Sequence, residues 1–311
     1  MSEPRFSVVI PLYDKGTTIL ATLASVRAQT CPAIEIIVVD DESHDGGDDV
    51  VETLGDPHIR LIRQANGGPA AARNTGVAAA HGNWIALIDG DDLWHPHHLA
   101  TLVEVIAAVP DAALVSSASR TVLPGEPIAD VPMMATPPRR IDFFRDHRPD
   151  LLNASSVAIR RDAYLGIGGM PPVFPGEDMA FWIALAVDHA MAVSDRATSF
   201  YVRGDGIMAR EQAARQAGEA MPLSPVFAAI DRAVATIADP ARRVAATAFG
   251  DRTRLQYVRS ELYAGRPADA RRLLAGVVDR GGGAYRAYRA LALLPGGILR
   301  FGMIARRLLR R

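Results

Sequence analysis

The segment Asp89-Gly90-Asp91-Asp92 places carboxylates one residue apart directly after the apolar run Trp84 to Ile88. Such carboxylates can converge on one hard cation, and Mg2+ or Mn2+ favours a few oxygen ligands completed by substrate phosphates. A cation there would neutralise a diphosphate and stabilise the charge growing on it as it departs. A polar turn capping the next helix would use the same residues. A second acidic pair, Glu177-Asp178, opens a predicted helix containing Phe181, Trp182, Leu185 and Ala186. It reads as a plain helix cap or as a general base, pre-positioned but slightly weakened by the helix dipole. One carboxylate cannot serve both a leaving anion and an incoming hydroxyl, so two separate clusters suit a displacement reaction.

The elements that must position these groups follow from hydrophobic patterning. Residues 6 to 10 form a β-branched run that ends in a loop at Pro11, and Leu20, Leu23 and Val26 mark one face of a helix that stops before Pro32. The buried strand Ile34 to Val39 then ends in Asp40-Asp41-Glu42-Ser43. Strand, helix, strand in this order predicts parallel pairing. The unit repeats with His58 to Gln64, an Ala-rich helix from about Pro69 to Ala80, and Trp84 to Ile88. Acidic clusters therefore sit at the C-terminal ends of two strands, the edge where open α/β sheets bind ligands. From about Leu114 the alternation weakens and prolines accumulate, which predicts a long irregular connection. A strand returns at Asn153 to Ile159, Gly166 to Pro172 is turn-rich, and Ala192 to Val202 forms one or two strands. Beyond residue 207 the chain turns Ala- and Arg-rich with helical spacing.

Composition bounds the rest. The 311 residues are 49% hydrophobic and 22% charged, enough for a real core, and the net charge of −1 supplies no overall field to hold nucleic acid. Cys31 is the sole cysteine, so intrachain disulfides and multi-thiolate zinc sites are excluded and a reducing compartment is expected. The N-terminal residues lack the order of a signal peptide, and no stretch reaches the roughly 20 apolar residues of a membrane span. The expectation is a cytoplasmic protein, soluble or attached to the inner face of a membrane.

Five ordered segments together carry a resemblance. They are Val8-Val9-Ile10-Pro11-Leu12-Tyr13-Asp14, Ile37 to Asp45, Asn66-Gly67-Gly68-Pro69-Ala70-Ala71-Ala72-Arg73-Asn74-Thr75-Gly76, Ile88 to Asp92, and Gly168-Gly169 followed by Glu177-Asp178. Across about residues 6 to 205 the chain resembles the inverting family 2 glycosyltransferases of GT-A fold. The resemblance implies a Rossmann-like, mostly parallel sheet flanked by helices, with 1–115 as the nucleotide-sugar half and 116–206 as the acceptor half. The change of character beyond residue 207 makes 207–311 a C-terminal helical appendage.

The same resemblance implies a nucleotide-diphosphate sugar as donor and a saccharide or lipid-linked acceptor, as in cell-surface polysaccharide synthesis. Pro11, Tyr13, Asp40, Asp41, Arg73 and Asp89 fall on the donor side. Tyr13 would meet the base ring, Asp40 the base edge and Arg73 the nucleotide. Asp91, with Asp89, would hold Mn2+ or Mg2+. Glu177 and Asp178 are the catalytic pair, with Asp178 as the base. The residues by themselves also allow Tyr13 as a half-buried aromatic, Arg73 as a solvated helix residue, and Asn66-Gly67-Gly68 as a simple turn. At Glu42 the family's usual glycine is absent.

A catalytically inactive nucleotide-sugar-binding scaffold is the competing reading, against which Asp91 and Asp178 both stand intact. A nucleotidyltransferase would need a basic Gly-rich loop after the first strand, and none is present. His95, His97 and His98 are expected to be surface or capping residues, not zinc ligands. The tail from 298 to 311 holds five arginines and no acid at helical spacing. It reads as an interfacial helix on anionic lipid or as a helix packed on its own domain.

Overall fold

The structure, a computed structural model, describes residues 3–126, 128, 137–172, 175–203 and 225–299. Much of the predicted tail helix thus lies outside the described residues, as do most of residues 127–136 of the proline-rich connection. The chain divides into two compact units, 1–204 and 205–311.

In the first unit, β1 (Phe6–Leu12), β2 (Glu35–Asp40), β3 (Ile59–Arg63) and β4 (Trp84–Leu87) pair in parallel. The connecting helices are α1 (Ile19–Arg27), α2 (Gly47–Thr53) and α3 (Gly68–Ala79). Strand β1 is buried throughout except at Pro11, as a parallel strand covered on both faces must be. The apolar face of α1 is Ile19, Leu23 and Val26, with Thr22. Leu23 and Val26 lie on the expected face, but Leu20 is 48% exposed and Ile19 and Thr22 complete the face instead. Helix α3 presses close on the sheet because Gly76 has no side chain: a Cβ there would stand 2.4 Å from Val9 Cγ1.

The second half of this unit contains β5 (Leu93–Trp94), α4 (His98–Ala108), β6 (Ala112–Val122), β7 (Arg139–Ile141), α5 (Phe143–Asp146), β8 (Val157–Arg160), α6 (Arg161–Gly166), α7 (Glu177–Asp188) and β9 (Ala190–Val202). The sheet order is β3-β2-β1-β4-β8-β6-β9-β5, with β7 also on β9. Strand β8 runs antiparallel between β4 and β6, which makes the whole sheet mixed, while the four N-terminal strands keep the parallel order read from sequence. Strand β6 was not legible as a strand. Its centre is buried Ser116, Ser117 and Ala118, and Ser116 Oγ satisfies itself on the carbonyls of Leu151 (2.6 Å) and Ser156 (3.0 Å).

The chain leaves β1 for β2 on one side and returns to β4 on the other. The C-terminal ends of β1 and β4 therefore flank the crevice where strand order reverses, the usual ligand position in such sheets.

The second unit contains α8 (Pro225–Thr236), α9 (Pro240–Tyr263), α10 (Pro267–Ala275) and α11 (Gly283–Leu291) around Phe227, Ile230, Phe249, Val258, Leu262 and Leu273. Asp239 caps α9 through the Arg242 amide at 2.7 Å. Among the described residues no helix is long and apolar enough to cross a membrane.

His98, expected at the surface, is fully buried. Its ring stacks on Trp94 with centroids 4.3 Å apart, and Nδ1 lies 2.9 Å from Thr198 Oγ1 and 3.2 Å from Ser117 Oγ. Among the described residues no group of three or more His, Cys, Asp or Glu side chains gathers in one place. Burial, helped by His95, lowers the His98 pKa from 6.5 to about 3. The folded ring stays neutral while the unfolded ring charges below pH 6.5, so this contribution is present above 6.5 and lost as pH falls toward 3. His147, lowered by burial to about 4, acts in the same direction. Urea titrations of wild type should lose about 1.4 kcal/mol per pH unit for each such histidine. His98→Gln should show a shallower slope between pH 6 and about 4.5; an unchanged slope contradicts the assignment.

Candidate active site

The donor-side residues leave the sheet at one edge. Register pairs Leu12 with Asp40, which puts Tyr13 and Asp40 together at the ends of β1 and β2. Tyr13 is partly buried and meets the His44 ring edge-on, with centroids 6.4 Å apart. Asp40 is 4% exposed and accepts the Ser43 amide at 3.2 Å. The two loops are stapled to one another. Asp14 accepts the His44 amide (2.8 Å), and Asp45 accepts the amides of Gly16 (2.7 Å) and Gly47 (3.0 Å).

Asp41, grouped in the sequence with the donor contacts, is spent on the fold. Its Oδ1 accepts from the Gln64 side chain (2.7 Å) and the Gly67 amide (2.9 Å), and its Oδ2 from the Gly68 amide (2.8 Å). Asn66-Gly67-Gly68 is thereby tied down at the N-terminus of α3. Glu42 takes φ +67°, a left-handed conformation, which explains why glycine suits this place. Its carboxylate accepts the Asn66 amide at 3.1 Å and offsets part of that strain.

The loop Asp89 to Asp92 follows β4. A Cβ on Gly90 would stand 3.3 Å from the Pro11 carbonyl, so the loop lies directly against the end of β1. Asp89 and Asp91 keep 35% and 27% of their side chains exposed. Asp91 pairs with the Lys15 ammonium, a partner the sequence did not reveal. Asp92 is 2% exposed and bonds to Ser155 Oγ and the Val202 amide (3.0 Å). Burial, then the charges of Asp89 and Asp91, push its pKa well above the ordinary carboxylate value. Ser155 Oγ also accepts the Asp89 amide at 3.0 Å, so one hydroxyl clamps both ends of the loop. Nothing in the local sequence distinguishes that serine from its neighbours.

Arg73 is 4% exposed, not solvated. From α3 it donates to Asp89 Oδ1 (2.7 Å) and Glu177 Oε1 (3.4 Å), so its guanidinium is committed to two carboxylates rather than open to solvent. Burial opposes its charge, and Asp89, Glu177 and Asp178 more than offset this and raise its pKa. Glu177 is 5% exposed; burial and the Asp178 charge raise its pKa against the pull of Arg73. Asp178 is partly buried and accepts the Met179 amide at 2.6 Å. Burial also raises its pKa, with Arg73 opposing, so burial outweighs the dipole effect expected from sequence and strengthens it as a base.

The next residue of α3 completes the connection. Asn74 Oδ1 accepts the Met170 amide (2.9 Å) and the Tyr164 hydroxyl (2.7 Å), while its Nδ2 donates to the Met170 carbonyl (2.8 Å). Gly169 takes φ +78°, and a Cβ there would stand 2.7 Å from Asn74 Oδ1. The turn leading toward α7 is thus pinned to α3 where only glycine fits.

Removing one member of a buried ion pair strands the other's charge, at about 3–5 kcal/mol. Arg73→Met should lower unfolding free energy by that order, and adding Glu177→Gln should restore part of it. A double variant less stable than the single one, by urea unfolding, contradicts the pairing.

The model of the Glycosyl transferase family 2 matches residues 7–164. Curated relatives include the uncharacterized glycosyltransferase YibD of Escherichia coli, 38% identical over 104 residues, which are 33% of this chain and 30% of that protein. The succinoglycan biosynthesis protein ExoO of Rhizobium meliloti is 39% identical over 102 residues, 32% of this chain and 29% of its own length. The match thus spans under a third of these relatives. Among solved structures, residues 1–349 of S. aureus TarS in complex with UDP-GlcNAc align with TM-score 0.68 at 17% identity, covering 98% of this chain and 92% of that one. The mannosyltransferase PcManGT of Pyrobaculum calidifontis, in complex with GDP-Man and Mn2+, aligns at 0.53 and 19%, covering 97% and 88%. At such identities the likeness speaks for the fold alone, which is GT-A. With the family model covering half the chain, this protein belongs to glycosyl transferase family 2.

Proposed function

We propose that the chain is an inverting, metal-dependent transferase that moves a sugar from a nucleotide-diphosphate donor to a hydroxyl of a saccharide, lipid-linked or other acceptor. Cell-surface polysaccharide or glycan synthesis is its setting, as the name of the ExoO relative suggests. One observation carries this reading: buried Arg73 joins Asp89 of the donor loop to Glu177, the neighbour of Asp178. Charge stabilisation for a departing diphosphate and a base for an incoming hydroxyl are thereby held at one site. TarS and PcManGT, with UDP-GlcNAc and GDP-Man, support a nucleotide sugar as donor.

Tyr13 and Asp40 take the base of the nucleotide, beside Pro11. Asp178 accepts the proton of the acceptor hydroxyl as its oxygen attacks the anomeric carbon, and the bond to the diphosphate breaks with its electron pair on the departing oxygen. Glu177 and Arg73 work through their neighbours, holding Asp178 and Asp89 in place. Two partly exposed carboxylates, Asp91 and Asp89, suit Mn2+ or Mg2+ completed by phosphate oxygens, and the Lys15 ammonium on Asp91 supports that carboxylate as a seat for a cation. Such an ion would supply positive charge to the diphosphate.

The protein works at the inner face of a membrane, with the basic tail 298–311 as its contact. The tail's five arginines without an acid support this.

Asp178→Asn should retain donor binding and lose about 10²–10⁴-fold in transfer. Wild-type rate should fall with pH through a value above that of an ordinary carboxylate. Full turnover by Asp178→Asn removes the base assignment. Asp91→Ala should abolish Mn2+-dependent donor binding in a thermal-shift screen of nucleotide sugars; retained Mn2+ dependence removes the metal assignment. In flotation on anionic vesicles the full chain should rise and a chain ending at Pro295 should not. Equal binding sinks the membrane contact.

A further inference from the structure

The loops that carry Lys15 and Asp91 are held by bonds other than the ion pair between these two side chains. Thr18 Oγ1 donates to the Gly90 carbonyl at 2.8 Å, and the Lys15 carbonyl accepts the amides of Thr18 (3.0 Å) and Ile19 (2.9 Å) at the start of α1. Ser155 fixes the two ends of the acidic loop. The lysine side chain is aimed by two further features. Asp14, the residue before it, takes φ +50°, a left-handed conformation that a non-glycine residue adopts only under constraint. The lysine stem runs alongside Gly90, where a Cβ would stand at ordinary contact distance, 3.5 Å from Lys15 Cβ and 3.6 Å from Cγ.

The charges of the loop are already matched before any ligand arrives. Asp89 faces Arg73 and Asp91 faces Lys15, while Asp92 is held away on Ser155 Oγ and the Val202 amide. A divalent ion entering alone must break the Lys15 contact and leave the ammonium beside the incoming cation. A diphosphate entering with the ion removes that conflict, because its oxygens give Lys15 a new anion while the metal takes Asp91. Arg73 cannot make the same exchange, being buried between two carboxylates.

We infer that Lys15 is an internal counter-cation that holds Asp91 closed to divalent metal until a nucleoside diphosphate draws the ammonium away, so that metal and donor bind cooperatively. This rests on the donor reading of the site proposed above. By linkage the metal raises nucleotide affinity by the same factor that the nucleotide raises metal affinity.

The test is a titration of the full chain with Mn2+ alone, free ion being read by electron paramagnetic resonance, followed by titrations with UDP or GDP present. Lys15→Met should bind Mn2+ alone roughly two- to fivefold more tightly than wild type, the worth of a partly exposed ion pair. Arg203→Met, which removes an exposed cation that acts on Tyr201 as those carboxylates do, should not. In wild type one of the two nucleotides should tighten Mn2+ binding, and that gain should shrink in Lys15→Met. Unchanged Mn2+ affinity in Lys15→Met, or an equal gain in Arg203→Met, overturns the inference. If neither nucleotide alters wild-type Mn2+ binding while Lys15→Met alone gains affinity, the donor reading falls and the lysine's hold on Asp91 stands.

Discussion

A single guanidinium taken out of water fixes the separation between the two ends of the site. Arg73 touches Asp89, 16 residues away in sequence, and Glu177, 104 residues away. Burying a positive charge is costly, and only the surrounding carboxylates make it tolerable. Its Nε has no hydrogen-bond partner among the described residues, so even this arrangement is incompletely satisfied. A hydrophobic residue of similar volume could fill the space. It could not keep Glu177 and Asp89 drawn toward one point while their own charges repel.

The resemblance to known proteins does not extend evenly over this machinery. The family model ends at Tyr164, before Glu177 and Asp178. The helix that carries Glu177 and Asp178 is therefore tied to the matched part by physical contacts: Arg73 to Glu177, and Asn74 to the turn at Gly169 and Met170. Both come from consecutive residues of α3, within the matched range.

The parallel core and the acidic strand ends were legible in the sequence because large apolar side chains recur with the period of their element, and because parallel strands deliver their C-terminal residues to one edge. Strand β6 was hidden by its small polar core residues. In α1 Leu23 and Val26 were legible, while Leu20 proved exposed because Ile19 and the polar Thr22 complete the buried face. Pairings were the least legible. A buried arginine and a solvated one look alike in a single chain, as do an aspartate that meets a ligand and Asp41, whose oxygens hold a turn. Lys15 and Asp91 lie 76 residues apart, and no local pattern links them. Such contacts are settled only when the sheet brings distant loops together.

Helix α3 behaves as a gauge. Twelve residues, mostly small, are seated against β1 by Gly76, and two neighbouring side chains set how far the Asp89 loop stands from the start of α7. The outer loops are thereby free to vary in length and sequence while that spacing stays the same.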